Sequence, residues 1–339
     1  MRRLLHLLQR RNVKIQAAAF AILSAAVIAG FAVSPASAQD KAGWPQRVTL
    51  ATGPTGGFGY TMGAPWSATV GATIGVAISP EATSGIPINF LMMHKKQTEI
   101  AVGTSDVAVL GWRGEGYAKG VKLQDARTMM MFVPFVFQMY TDNRSNIKTI
   151  KDIDGKVINP SGAGSQTDIV FRAMMPSLDI KPSRVTNISP AQANDLMADG
   201  RLDISIAAGS VPHPALSQYE ARSQTRLIGF TEEEVTKFLA KNPQLSRMVV
   251  PAGTYKGQDK EIVTVGSYTM FVADKSLPAS MVYAMIKATF DKKEDLANAY
   301  KPYGKLELKS ILTSPIPLHP GAVKYFEEQG IKIPDNLKG

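Results

Sequence analysis

The stretch LATGPTGGFGYTMG, from Leu50 to Gly63, sets Gly53, Pro54, Thr55, Gly56, Gly57 and Gly59 directly after a short apolar run and before a helix-like pattern that resumes at Tyr60. Glycines leave backbone N–H groups uncovered by side chains, and a helix that follows aims its positive end at the same place. The chemistry this suits is the holding of a carboxylate or a similar group by donors fixed in advance, with Gly56 and Gly57 as the nest. Thr55 adds a hydroxyl donor, Phe58 and Tyr60 add aromatic walls, and the Tyr60 phenol remains for a polar end. A neutral nest leaves no unpaired buried charge when empty, which suits reversible capture.

Three more polar turns follow strand-like runs: EATSG at 81–85, NPSGAGSQT at 159–167 and AAGSVPHP at 207–214. Each taken singly reads first as a plain connection, which Gly-rich turns between strand and helix more often are than ligand cradles. In open α/β sheets, however, ligands bind beyond the carboxyl ends of the strands, so four such turns can converge on one cleft. Thr83 in the second turn adds a hydroxyl, and Ser161 and Gln166 add polar side chains from the third. Arg113, next to the flat face of Trp112, either takes a second carboxylate in its planar fork or is a solvated surface residue. His213, between two prolines, reads as a turn residue or as a ligand-facing imidazole.

Positioning these turns requires regular elements. Short β-branched runs predict strands over 48–51, 76–78, 107–110, 129–141, 157–158, 185–188, 204–207, 226–228 and 263–273, alternating with helix-like stretches, the pattern of an α/β fold with mostly parallel sheets. Helix starts are marked by Ser165 three before Asp168, by Ser189 before Pro190, and by Thr231 three before Glu234.

Two runs, MMMFVPFVFQMYTD and EIVTVGSYTMFVAD, are longer and more aromatic than the rest. If both cross between two lobes, residues 39–138 and 266–339 form one lobe and 139–265 an inserted second, the layout of a hinged binding protein with its cleft between the lobes. The same runs also fit as neighbouring buried strands of one large sheet.

Taken in order, TGPTGGFGYTMG, EATSGIPINFL, DVAVLGW, DIDGKVINPSGAGSQT, LMADGRLDISIAAGSVPHPAL and LHPGAVKYFEEQGI resemble the TAXI family, the extracytoplasmic solute-binding subunits of TRAP transporters, over nearly the whole chain beyond residue 38. The resemblance implies a two-lobed α/β fold of the periplasmic-binding-protein type (type II) with a hinge. It implies a small organic anion or amino acid as solute, TRAP permease subunits in the membrane as partner, no cofactor and no catalysis. Thr55, Gly56, Gly57, Phe58 and Tyr60 stand where the family's first T-G-G-x-x-Y turn stands. Thr83, Ser84, Gly85 and Asn89 match its second loop, Gly162, Gly164 and Ser165 its G-x-G-S/T turn, and Gly209 with Pro212 falls near its small-Gly-His-Pro turn. Two positions depart from the pattern. Gly111, Trp112 and Arg113 replace a polar Gln-Ser-Asp type ending, and His213 falls one position after Pro212, so the family's acidic ligands, glutamate and 2-oxoglutarate, do not transfer directly.

Composition bounds the rest. Arg2, Arg3, Arg10, Arg11 and Lys14 precede an apolar run over 15–33 and the exit Ala36-Ser37-Ala38, a pattern that predicts a cleaved signal peptide over 1–38 and a periplasmic protein; a membrane anchor is the alternative. Removing those five basic residues lowers the formal net charge from +10 to +5, with acids scattered among the bases, which argues against a nucleic-acid partner. The absence of cysteine excludes disulfides, thiolate nucleophiles and zinc–sulfur sites. No H-E-x-x-H, G-x-S-x-G or P-loop lysine pattern occurs, so an enzyme is not expected. Besides TRAP transport, the same cleft chemistry fits a receptor for an ATP-driven importer or a ligand-sensing periplasmic protein.

Overall fold

The protein is described by a computed structural model over Lys41–Gly339, so the leader expected over 1–38 lies outside the described residues. Three five-residue strands, β1 (Arg47–Ala51), β2 (Ala77–Glu81) and β3 (Ile100–Thr104), pair in parallel with β1 in the middle. Each is followed by a helix: α1 (Phe58–Ile74), α2 (Ile86–His94) and α3 (Ser105–Arg113). A second parallel set is built the same way from β5 (Val157–Asn159), β6 (Arg184–Val185) and β7 (Ile204–Gly209), with β5 between the other two. Its helices are α4 (Gln166–Leu178), α5 (Pro190–Ala198) and α6 (Pro214–Glu220).

The two long apolar runs join these sets into one sheet. β4 (Ala126–Asp142) and β10 (Ile262–Asp274) pair antiparallel, giving the order β2-β1-β3-β10-β4-β7-β5-β6. Each exchanges partners along its length. β10 pairs β9 (Ser246–Val250) up to Gly266 and β3 from Thr269, whereas β4 pairs β7 and β8 (Thr225–Ile228) only beyond Phe135. Their aromatic and methionine content follows from burial on both faces: Met129, Met130, Met131 and Phe271 are fully enclosed, and Trp66 of α1 packs on Phe271 at 4.7 Å between ring centres. The chain closes with α7 (Glu232–Lys241), α8 (Ala279–Asp291), α9 (Lys293–Ala299) and α10 (Pro320–Glu328).

Ser165, Ser189 and Thr231 cap α4, α5 and α7 where the spacing places them, the last two as full capping boxes. Four expectations change. The sheet is mixed rather than mostly parallel, because β4 and β10 run antiparallel to each other, β10 also to β3 and β9, and β4 also to β7 and β8. The run over 107–110 is helix, not strand: Asp106 sits in the first turn, Val107, Ala108 and Gly111 share the buried face, and Gly114 ends α3 in the left-handed region. The strand is the preceding run, Ile100–Thr104, whose five residues are all buried. At 185–188 the strand stops at Val185, releasing Asn187 and Ile188 into a turn, and the half-exposed edge strand β9 carries no strong alternation to announce it. Among the described residues no helix is long and apolar enough to cross a membrane.

Candidate functional site

The segments that leave the carboxyl ends of β1, β2, β5, β6 and β7 line one cavity of about 590 Å³. Five helices begin at its wall: Gly57 and Phe58 open α1, Gly85 and Ile86 open α2, Ser165 and Gln166 open α4, Ser189 and Pro190 open α5, and His213 and Pro214 open α6. Among the described residues no Lys, Arg, Asp or Glu contributes to the lining. The field inside is therefore set by backbone dipoles and neutral side chains, and the helix starts make it electropositive.

The caps divide the five helices. On α4, Ser165 Oγ accepts from the Asp168 amide at 3.3 Å, and on α5, Ser189 Oγ accepts from the Gln192 amide at 3.3 Å. On α6 the His213 ring takes the same role, with Nδ1 accepting from the Ala215 amide at 3.1 Å. α1 and α2 start from glycine and have no side-chain cap. In α1 the first intrahelical bond runs from the Thr61 amide to the Gly57 carbonyl at 3.0 Å, so the amides of Phe58, Gly59 and Tyr60 stand ahead of the ladder.

The turns are braced from behind. Asn89, fully buried, donates to the carbonyls of Thr52 at 2.8 Å and Val102 at 2.9 Å, tying the ends of β1 and β3 together. The Thr83 hydroxyl donates to Asn89 Oδ1 at 2.6 Å, and the Gly85 amide donates back to Thr83 Oγ1 at 3.3 Å. Behind the fourth turn, Tyr255 donates its hydroxyl to Gln138 Oε1 and accepts from the His213 amide at 2.7 Å. Burial holds the His213 imidazole neutral, its pKa lowered to about 4 against a smaller opposing hydrogen bond at Ala208.

Of the residues singled out from sequence, Thr55, Gly56, Gly57, Phe58, Gly85, Ser161, Gly162, Ser165 and Gln166 lie on the cavity wall. Thr83 and Gly164 stand behind it: the first braces the second loop, and the Gly164 amide donates to Asp168 Oδ2 at 3.0 Å. Tyr60 and Ser84 are not on the wall, although Tyr60 contributes its amide to the start of α1. Gly209 is a contact position: with φ +154° it lets β7 approach Phe58, whose ring would lie 2.9 Å from an added Cβ.

Trp112 and Arg113 are a correction. Both sit in the last turn of α3, roughly 10 Å along the helix from its start. There Trp112 stacks under the Arg127 guanidinium at 5.1 Å, and Arg113 is exposed. Sequence reasoning also missed Asn187, Gln192 and Gln218. The signal for the first two was present in VTNISPAQ, a strand end followed by a Ser-Pro helix start, the same pattern used for the other turns.

The fold has solved counterparts. The periplasmic binding protein BugD superposes with a TM-score of 0.54 at 11% identity, covering 86% of this chain and 100% of that one. XAC2383 from Xanthomonas citri, solved with ATP, gives 0.49 at 8% identity over 84% and 95% of the two chains. A TctC solute binding protein from Polaromonas gives 0.47 at 12% identity over 76% and 88%. The match to BugD shows that this chain has the mixed α/β fold of the two-lobed periplasmic binding proteins. A sequence profile spans residues 50–330, from within β1 to beyond α10 and through every turn of the cavity, and by that match the chain belongs to the NMT1-like family.

Proposed function

We propose that the protein is an extracytoplasmic solute receptor that captures a small organic anion in this cavity and hands it to an ion-coupled permease of the TRAP type, as a TAXI-like subunit working in the periplasm. Residues 39–138 with 266–339 and residues 139–265 are the two lobes, and the partner exchange of β4 and β10 near Val136 and Gly266 is the hinge between them. The receptor holds its solute and does not transform it. The observation that carries this reading is the wall itself: five helix starts face one cavity, and among the described residues no ionised side chain lines it. Such a site attracts an anion and leaves no buried charge unpaired when the anion departs.

The test is a thermal-shift screen of the purified chain against carboxylic acids, amino acids, sulfonates and sugars. A ligand that binds only the folded protein adds about 2.7 kcal/mol when present at 100 times its Kd. At least one organic anion is expected to raise the melting temperature by several degrees; stabilisation by neutral sugars alone would overturn the reading.

A further inference from the structure

Behind the cavity wall, α4 meets two elements of the other proposed lobe. An added Cβ on Gly85, at the start of α2, would lie 3.3 Å from Ser165 Cα, so the second and third turns are in direct contact. One residue on, Gln166 Nε2 donates to both carboxylate oxygens of Asp106 at 2.7 Å and to Ser267 Oγ at 3.2 Å. Asp106 belongs to the first turn of α3, Ser267 to β10 beside the partner exchange, and Gln166 to the cavity wall. Gln166 Oε1 is buried and has no hydrogen-bond partner among the described residues. Its amide is thus held by one end and free at the other.

We propose that Asp106 is the positioning residue of the solute site: it fixes the Gln166 side chain across the seam between the lobes, leaves Oε1 to accept from a donor on the solute, and makes gripping the solute and docking the seam one event. This rests on the receptor reading above. Asp106 is 3% exposed, and the groups around it are neutral: Gln166 from α4, Ser267 from β10, the Val107 amide of its own helix and Thr104 at the end of β3. The titratable group facing it is Tyr117, from the short turn after α3, whose hydroxyl donates to the Val107 carbonyl at 3.1 Å and whose own pKa is raised by burial.

A pH dependence follows. Docking the seam removes water from Asp106 without supplying a cation, so burial raises its pKa above the usual carboxylate range. The docked form binds the proton more tightly than the open form and is favoured as pH falls. An asparagine at this position keeps an oxygen for Gln166 and cannot ionise.

Cysteines introduced at exposed Ala68 of α1 and exposed Lys237 of α7 are the only thiols in the chain, and spin labels on them report the interlobe distance in solute-free protein. The wild-type ratio of docked to open molecules is expected to rise at least tenfold from pH 8 to pH 5. Asp106→Asn should remain docked at both values, whereas Asp106→Leu and Gln166→Met, which remove the contact from opposite sides, should remain open at both. A wild-type distance that ignores pH, an Asp106→Asn protein that keeps the wild-type dependence, or a Gln166→Met protein that docks like wild type would each overturn the proposal. Repeating the measurement with millimolar L-glutamate, 2-oxoglutarate or 3-phenylpropionate separates the two readings. Shortening with any of them supports the receptor whether or not the variants behave as stated; a distance unmoved by solute and by pH overturns both.

Discussion

The two sides of the cavity are made from the same unit, a parallel strand, a polar turn and a helix start, yet they differ in what the helix start does with its own donors. On the α4, α5 and α6 side the protein satisfies them itself, with Ser165, Ser189 and His213 as caps and with Pro190 and Pro214 removing an amide at the first position. On the α1 and α2 side glycines hold the cap positions, and geometry keeps them there. A Cβ on Gly57 would press on the Pro54 carbonyl at 2.9 Å, and Gly85, at φ +146°, faces Ser165. A capping serine cannot be installed at either without displacing backbone. For the proposed receptor the difference assigns the solute's charge to α1, where three amides stand ahead of the helix ladder, and its uncharged remainder to the side of Gln166, Gln192 and Gln218.

The largest effect should come from placing a charge on the uncapped side. Thr55 is exposed and lines the cavity beside Gly56, so Thr55→Glu brings a carboxylate to the anion's place without burying it or straining the backbone. Two like charges about 4 Å apart at an effective dielectric near 20 repel by about 4 kcal/mol, which corresponds to a loss of roughly 1,000-fold in affinity. A negative group before a helix is mildly favourable to the helix, so thermal unfolding should show unchanged or slightly higher stability while calorimetry shows lost binding. Equal affinity for mutant and wild type would place the anion elsewhere.

On the capped side the expected effect is on stability. His213 caps α6 and His319 caps α10 by the same device, a His-Pro start whose ring Nδ1 accepts from the amide two residues on, at 3.1 Å and 3.2 Å. Burial lowers both pKa values from 6.5 to about 4. Between those values the unfolded chain binds more protons than the folded one, so this stabilisation is complete above pH 6.5 and is lost as pH falls toward 4. Full titration is worth about 3 kcal/mol per imidazole. His213→Asn keeps a capping oxygen and removes one titrating group, so denaturant unfolding from pH 4 to 7 should show a shallower rise of stability with pH than wild type in that window. A slope unchanged in the mutant would mean that His213 is not held neutral.

A smaller effect tests the caps directly. Ser189→Ala removes the cap of α5 and the contact of Ser189 Oγ with Gln192 Oε1 at 3.0 Å. The expected cost is about 1 kcal/mol of unfolding free energy, seen as a fall of about 2 °C in Tm. Solute affinity should change by less than about threefold, because the amide this cap serves is not one the anion uses. A large loss of affinity would erase the distinction between the two sides.

Much of this was legible in the residues, for local reasons. Glycine-dense turns and Ser or Thr caps are set by backbone geometry within four or five positions, and β4 and β10 declare themselves by runs too long and too aromatic for an edge strand. What was not legible depended on contacts made at long range. IAVGT and DVAVL are both short and apolar, and only tertiary packing decides that the first is a buried strand and the second the inner face of a helix. Asp106 gave no signal because an aspartate in the first turn of a helix is unremarkable until Gln166, sixty residues on, closes over it. Thr83 has the right chemistry for a ligand and spends it on Asn89.

The smallest effect should come from the residue with the strongest anion-binding chemistry considered. Read as the end of a strand, Arg113 would face the cleft, and its loss would weaken a dicarboxylate far more than a monocarboxylate. The chain instead turns helical at Ser105, and every residue of α3 carries the side chain about 1.5 Å further from the strand ends, so that Arg113 emerges exposed in the last turn, absent from the cavity wall. Its position at a helix C-terminus favours a cation by a few tenths of a kcal/mol, and that is the whole of its expected contribution. Arg113→Met should therefore leave affinity for mono- and dicarboxylates within about twofold and shift stability by less than about 0.5 kcal/mol. Calorimetry on both acids sharpens the comparison of the two sides. A selective loss of the dicarboxylate would bring a charged side chain into a site lined, among the described residues, by backbone donors and neutral side chains.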